Sequence, residues 1–134
     1  MVIVANDLRA TYGASYIAEQ LYEQAKIHGD NAIAESIRTV WEVEALRKKW
    51  DFYLFAIDAD SKIRYERVVM RGSETDKISY EEFISNEQRE MENTDPNKQN
   101  IGKCIQLADY TFTNDWSLED LNKQIEIVLK QLKI

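Results

Sequence analysis

The sequence has only one cysteine and one histidine, and this scarcity excludes two kinds of site. A single cysteine, Cys104, leaves no intramolecular disulfide, which favours a reducing, cytoplasmic setting. Cys104 and His28 are also too few to supply the Cys and His ligands of a structural zinc centre. We therefore predict no zinc site and name no metal ligand, and we expect His28, at the end of a predicted helix, to be exposed to solvent.

Proline and glycine are also rare, with one and four among 134 residues. Because these residues interrupt helices and strands, their scarcity predicts mostly regular secondary structure with short loops. No apolar run is long enough to span a membrane and no charged-then-apolar leader opens the chain, so we expect neither a membrane span nor export. The length suits one domain, and we expect residues 1–134 to form it.

Basic residues are outnumbered, because 17 Lys and Arg stand against 24 Asp and Glu, for a net charge of −7. An acidic surface argues against general binding to a nucleic acid polymer or to an anionic membrane. It leaves room for a small basic pocket that holds one phosphate ester. The apolar fraction of 44% is ordinary for a globular protein that buries a core.

Apolar periodicity predicts helices that alternate with short apolar strands. The predicted helices cover 2–12, 14–28, 40–50, 60–71, 79–92, 97–107 and 117–134, and the predicted strands cover 31–37, 52–58 and 109–114. Ser117, followed by Asp120 three residues later, is a good N-cap for the last helix. This alternation predicts an α/β fold with a parallel sheet flanked by helices.

Three arginines share one face of the helix predicted over 60–71, because they stand at i, i+3 and i+7: Arg64, Arg67 and Arg71. Guanidinium groups stay charged and bind phosphate in a bidentate way. The alternative is a solvated face paired with nearby acids, such as Glu66, Glu74 or Glu81. Spacing alone favours this alternative.

Further polar residues stand at predicted strand ends, where open α/β sheets bind their ligands. Arg38 follows the first strand and suits a substrate phosphate or carboxylate. Glu35 lies within the first strand and Asp58 ends the second, and both carboxylates suit the orientation of a metal or the acceptance of a proton. Asn114 follows the last strand, where an amide often reads a base. Each has a simpler alternative: Arg38 as a surface arginine at the sheet edge, a strand-end carboxylate as the N-cap of the next helix, and Asn114 as a turn residue.

The sequence lacks the phosphate-binding pattern G-x-x-x-x-G-K-[ST]. The nearest stretch is NKQNIGKC (97–104), which has Asn97 in place of the first glycine and Cys104 in place of the hydroxyl residue. It also lies in a predicted helix rather than after a strand. We reject it as a phosphate-binding loop.

Three segments in order resemble the dephospho-CoA kinase and nucleoside monophosphate kinase group of P-loop kinases. They are AESIRTVWEVEALRKKWDFYLFAID, DADSKIRYERVVMRG and IQLADYTFTNDWSLEDLNKQIEIVL. The resemblance implies a three-layer P-loop kinase-like parallel sheet flanked by helices. It also implies transfer of the ATP γ-phosphoryl group to a nucleotide-like acceptor, with ATP and Mg²⁺ in the complete kinase. Trp41 stands where this family usually has glycine.

The same resemblance implies roles for individual residues. Arg67 and Arg71 would be catalytic residues of a lid over about 64–95, where they offset phosphoryl charge and exclude water. Arg64 would be structural. Arg38 and Glu35 would bind the acceptor, and Asn114 would lie near the adenine of ATP.

The family's first strand and P-loop would lie before residue 1, so we expect an incomplete fold that is inactive on its own. The strands beside the vacancy would expose unpaired edges. We expect these edges to pair with each other or with another copy, or to lie under the N-terminal helix, which favours a homodimer. The alternatives are a non-catalytic α/β domain that binds a nucleotide or a partner, and an acidic interaction domain that shares only the fold.

Overall fold

The computed structural model describes residues 2–29, 31–49, 51–72, 77–93, 95 and 98–134. These residues form seven helices and two strands: α1 (Val2–Tyr12), α2 (Tyr16–His28), α3 (Val40–Arg47), β1 (Phe55–Asp58), α4 (Ser61–Arg71), α5 (Tyr80–Met91), α6 (Ile101–Gln106), β2 (Tyr110–Thr113) and α7 (Leu118–Leu132). They divide into two compact units. Unit 1 comprises Met1–Leu54 and Glu90–Asp109, and unit 2 comprises Phe55–Arg89 and Tyr110–Ile134. None of the described helices has the length and apolar character that crossing a membrane requires.

Unit 1 packs its core around α3 and α6. Val43, Leu54 and Cys104 are buried together, and four partly buried residues pack against them: Ile37, Phe52, Leu107 and Ala108. The raised pKa of the Cys104 thiol, about 11, reflects burial first and the nearby Glu42 carboxylate second. Cys104 is therefore a core residue rather than a reactive thiol.

A buried ion pair joins α1 to the start of α3. Arg9 and Glu42 expose only 3% and 2% of their surface, and Arg9 donates to Glu42 Oε1 from Nε at 2.9 Å and from NH2 at 2.8 Å. Glu42 Oε2 accepts from the backbone N–H of Arg38 at 3.0 Å and of Thr39 at 3.1 Å. Thr39 Oγ1 accepts in turn from the Glu42 N–H, which completes a capping box. This network fixes the residues just before α3.

Unit 2 is built on a parallel pair of strands. The register runs from Phe55 opposite Tyr110 to Asp58 opposite Thr113. The side chain of Gln124 on α7 accepts from the Thr113 N–H at 3.2 Å and donates to the Thr113 carbonyl at 2.9 Å, which holds α7 against β2. Phe112 and Leu121 are buried in this unit.

All seven predicted helices are confirmed, with small shifts at their ends. The largest shift is at the start of α6, because the helix predicted over 97–107 is Ile101–Gln106. The strands predicted over 52–58 and 109–114 are also confirmed, and they are parallel. β1 is shorter than predicted and begins at Phe55.

The strand predicted over 31–37 is wrong. Residues 31–36 are irregular and exposed, and Ile33 exposes 92% of its surface. Ser36 has φ of 64°, a left-handed conformation that a strand does not contain. A buried parallel strand needs a hydrogen-bonded neighbour, and β1 pairs only with β2 among the described residues. The apolar side chains of this stretch therefore find no sheet to join.

The larger three-layer kinase-like sheet stays a proposal, as does the single domain over 1–134. The lid predicted over about 64–95 includes residues 73–76 and 94, which lie outside the described residues. Asn97, in the rejected NKQNIGKC stretch, also lies outside them.

Candidate functional site

In unit 2, two predicted residues meet at the carboxyl ends of the parallel strands. Asp58 ends β1 and is exposed, and Asn114 follows β2 directly. The Asn114 N–H donates to the Asp58 carbonyl at 2.7 Å. The Asp115 carboxylate accepts from the Asp60 N–H at 2.7 Å, which ties the same two loops together. Ligands of open parallel sheets bind at this edge.

Arg64 is committed to partners within unit 2. Its Nε and NH2 each donate to the Glu87 carboxylate at 2.7 Å, and its NH1 donates to Asp58 Oδ1 at 2.7 Å and to the Ala59 carbonyl. The hydrogen bond to Glu87 is the main cause of its raised pKa, burial opposes the shift, and the nearby aspartates add to it. These contacts favour a structural role for Arg64. Its acidic partners are not Glu66 or Glu81, and Glu74 lies outside the described residues.

Arg67 and Arg71 lie further along the same helix and are exposed. Arg67 NH2 lies 3.4 Å from the carbonyl oxygen of Trp116, which is two residues beyond Asn114. The structure therefore brings the predicted lid residue Arg67 and the predicted nucleotide residue Asn114 to the same end of unit 2. Arg71 stands in the last turn of α4, before Gly72 at φ 65°.

In unit 1, Arg38 reaches the end of α5. Its NH1 donates to Gln99 Oε1 at 3.0 Å and lies 3.6 Å from a Glu90 carboxylate oxygen. The Arg38 side chain is still 39% exposed. A longer ion pair at a partly exposed guanidinium leaves donors for an incoming anion.

In the described part of the chain, Glu35 forms no hydrogen bond or ion pair with Arg38. It is exposed in the irregular stretch that replaces the predicted strand. Glu35 falls in unit 1 and Asp58 in unit 2. His28, the last residue of α2, is exposed as predicted. No group of three or more His, Cys, Asp or Glu side chains among the described residues is placed to hold a metal ion.

A cavity of about 360 Å³ opens beside the start of α3 in unit 1. It is lined by Thr39, Val40, Trp41, Asn93, Asp95, Lys98, Asn100 and Lys103. Asn100 ties its walls together, because its N–H donates to the Arg38 carbonyl at 2.8 Å and its Nδ2 donates to the Asn93 carbonyl at 2.6 Å. The Asn100 Oδ1 also accepts from the Lys103 N–H and so caps α6. Sequence reasoning missed this cavity, because its lining comes from two distant stretches of the chain, residues 39–41 and 93–103.

Searches against known proteins find no family model that matches the chain. They do find relatives along almost its whole length. It is 32% identical over 127 residues to the UPF0200 protein MJ1399 of Methanocaldococcus jannaschii, and this alignment covers 95% of this chain and 59% of that protein. It is 30% identical over 129 residues to a UPF0200 protein of Sulfurisphaera tokodaii, which covers 96% of this chain and 68% of that protein.

The chain belongs to the UPF0200 family. A UPF0200 protein of Staphylothermus marinus is 29% identical over 125 residues, which cover 93% of this chain. The chain spans 63% of that protein and 59% of the Methanocaldococcus protein, so it matches only part of their length. The UPF0200 name states no reaction, and it neither supports nor opposes the kinase resemblance.

Proposed function

We propose that this UPF0200 chain is the acceptor-binding and lid part of a small-molecule kinase. The complete kinase would transfer the ATP γ-phosphoryl group to a nucleotide-like acceptor. The observation that carries the proposal is the approach of Arg67 to the loop after Asn114, at the carboxyl ends of two parallel strands. A cation and an amide at that edge suit the phosphates and the base of a nucleotide.

Each charged residue has a distinct task in this proposal. Arg67 and Arg71 bind phosphate oxygens, and they offset the negative charge that spreads over the transferred group. Arg64 holds α4 through Glu87 and Asp58, which positions Arg67 one turn later. Arg38 binds the acceptor. Mg²⁺ would screen the phosphates in the complete kinase, but we assign it no ligand among the described residues.

Phosphoryl transfer depends on a cradle of backbone N–H groups and a lysine around the ATP phosphates. The sequence has no such loop, so we expect this chain alone to bind ATP weakly and to transfer its γ-phosphoryl group very slowly. Brisk Mg-ATP-dependent transfer by the 134-residue chain would contradict this expectation. A non-catalytic nucleotide-binding domain remains the alternative, and it predicts the same binding without transfer in any longer form.

The test is a titration of the chain with Mg-ATP by nuclear magnetic resonance. Arg67→Ala should weaken binding about tenfold, because it removes one charge-assisted contact to phosphate. Asn114→Ala should weaken it less. The matched control is Arg89→Ala, since Arg89 is exposed and donates to Ser85 and Asn86 of its own helix. Equal affinities for the wild type, Arg67→Ala and Asn114→Ala would reject the proposed site.

A further inference from the structure

Trp41 is an unusual surface residue, because half of it is exposed beside a cavity. It occupies the first turn of α3 and exposes 50% of its surface. It lines the 360 Å³ cavity described above and also a smaller cavity of about 190 Å³. A large aromatic side chain is normally mostly buried, so a half-exposed indole that lines a concave surface suits stacking with a planar ligand.

The two cavities differ in charge. The smaller one has Lys48 and Lys49 against Glu19 and Glu44. The larger one has two lysines against a single acid, Asp95. The net positive lining of the larger cavity is notable in a chain of net charge −7, and it favours an anionic ligand.

The two lysines of the larger cavity are not equivalent. Lys98 Nζ lies 3.7 Å from the Asp95 carboxylate, so its charge is partly matched. Lys103 is exposed and forms no ion pair with any residue that the structure describes. Lys103 is therefore the cation of this cavity that is available to a ligand.

The backbone around Lys103 and Trp41 is held in place. Asn100 joins the residue before Thr39, the end of α5 and the start of α6, as described above. Gly102 fits so closely against α5 that an added Cβ would lie 2.9 Å from the Met91 carbonyl oxygen. Because the backbone at these positions is already held, binding a ligand there requires less ordering.

We infer that this cavity binds a phosphorylated molecule with a planar aromatic ring, of the nucleoside monophosphate class. The ring stacks on the Trp41 indole and the phosphate pairs with Lys103. The volume lies in the range of about 300–1,000 Å³ that is typical of small-molecule sites. In the proposed kinase this ligand is the acceptor, and that assignment rests on the proposed function. The binding itself does not.

The three tryptophans, Trp41, Trp50 and Trp116, allow a direct test. Each indole N–H gives a separate signal in a ¹⁵N–¹H correlation spectrum, and single Trp→Phe variants assign them. Titration with AMP should shift the Trp41 signal in a saturable way. Adenosine should shift it with lower affinity, and inorganic phosphate alone should leave the indole signal unchanged.

Variants separate the ring contact from the charge contact. Trp41→Ala should weaken AMP binding at least about tenfold, whereas Trp41→Phe keeps an aromatic face and should weaken it less. Lys103→Ala should weaken AMP binding about tenfold and leave adenosine binding unchanged. The control Lys130→Ala removes the same charge from an exposed position on α7, and it should leave both affinities unchanged.

An unmoved Trp41 signal at millimolar AMP would overturn the inference. So would an equal loss of AMP affinity in Lys103→Ala and Lys130→Ala, because binding would then follow overall charge. If AMP or ATP shifts only the Trp116 signal, this inference fails while the proposed site in unit 2 stands. If AMP shifts Trp41 and Mg-ATP binding is insensitive to Arg67→Ala, the inference stands and the proposed function fails.

Discussion

At the scale of single residues, the buried ion pair between Arg9 and Glu42 is a place where one substitution should strongly lower the free energy of unfolding. Both groups are almost fully buried, and burial removes charged groups from water at a high free-energy cost. The cost is offset because Glu42 accepts four hydrogen bonds: two from Arg9 and one each from the backbone N–H groups of Arg38 and Thr39. Loss of one partner leaves the other charged and unpaired.

We therefore expect Arg9→Met to lower the free energy of unfolding by about 3–5 kcal/mol, measured by urea denaturation. Lys130→Met, which breaks an exposed pair with Glu126, should change it by less than about 1 kcal/mol. The double variant Arg9→Met with Glu42→Gln should be less destabilised than the sum of its single changes. Strict additivity of the two substitutions would contradict the paired arrangement.

At the scale of secondary-structure elements, local sequence signals are reliable where the contacts that stabilise an element are local. The sequence predicts Ser117 as the cap of α7, and the structure has the complete box: Ser117 Oγ accepts from the Asp120 N–H at 3.1 Å, and the Asp120 carboxylate accepts from the Ser117 N–H at 3.4 Å. The Ser117 hydroxyl also donates to the Asp120 carboxylate at 2.5 Å. These hydrogen bonds lower the pKa of Asp120. Every partner lies within four residues, so the sequence alone specifies the cap.

The capping box predicts how α7 responds to pH. A carboxyl group with a lowered pKa in the folded state stabilises the protein above its unfolded pKa, near about 3.9, and this contribution is lost as pH falls through the folded value. Acidification below about pH 4 should therefore weaken α7, as followed by amide hydrogen exchange. Asp120→Asn should abolish that part of the pH dependence. An unchanged acid profile in Asp120→Asn would show that the box is not its cause.

The strand wrongly predicted over 31–37 shows that local sequence signals fail where an element depends on long-range contacts. Its apolar residues fit a buried strand, but a strand becomes regular only through hydrogen bonds to a neighbour that lies elsewhere in the sequence. The residues 52–58 and 109–114 find each other across more than 50 positions and form β1 and β2. Residues 31–37 find no such partner in the described chain, and α3 begins a few residues later through its own cap.

At the scale of the whole molecule, the sheet has an open side. The described sheet contains only β1 and β2, so each strand has one edge without a strand neighbour. Gln124 covers part of the β2 edge at Thr113, which leaves the β1 edge as the more open one. Ile57 in β1 exposes 53% of its surface. Unpaired edges with apolar residues favour addition of another strand, and we propose a homodimer of this chain through the β1 edge.

The dimer is tested by light scattering coupled to size-exclusion chromatography. The wild type should have twice the mass of one chain, and Ile57→Lys should shift it toward one chain, because a lysine on an edge strand opposes pairing. The control Ile127→Lys changes an isoleucine of similar exposure, 58%, on α7, and it should leave the mass unchanged. A wild-type chain that elutes with the mass of one copy across concentrations would exclude the dimer.

The sequence by itself determined the described helices, the cap of α7 and the exposure of His28, because these depend on local periodicity and on neighbouring residues. Apolar runs marked β1 and β2, but they marked residues 31–37 in the same way, and only the tertiary structure decided which runs pair. The sequence also singled out Arg38, Arg67 and Asn114 as candidates for binding. It did not indicate the partners of the arginines, which only the tertiary structure decided: Glu87 and Asp58 for Arg64, Glu90 and Gln99 for Arg38, and Glu42 for Arg9. The cavity beside Trp41 also emerged only there, because its lining comes from stretches more than 50 residues apart and no local pattern records which of them meet.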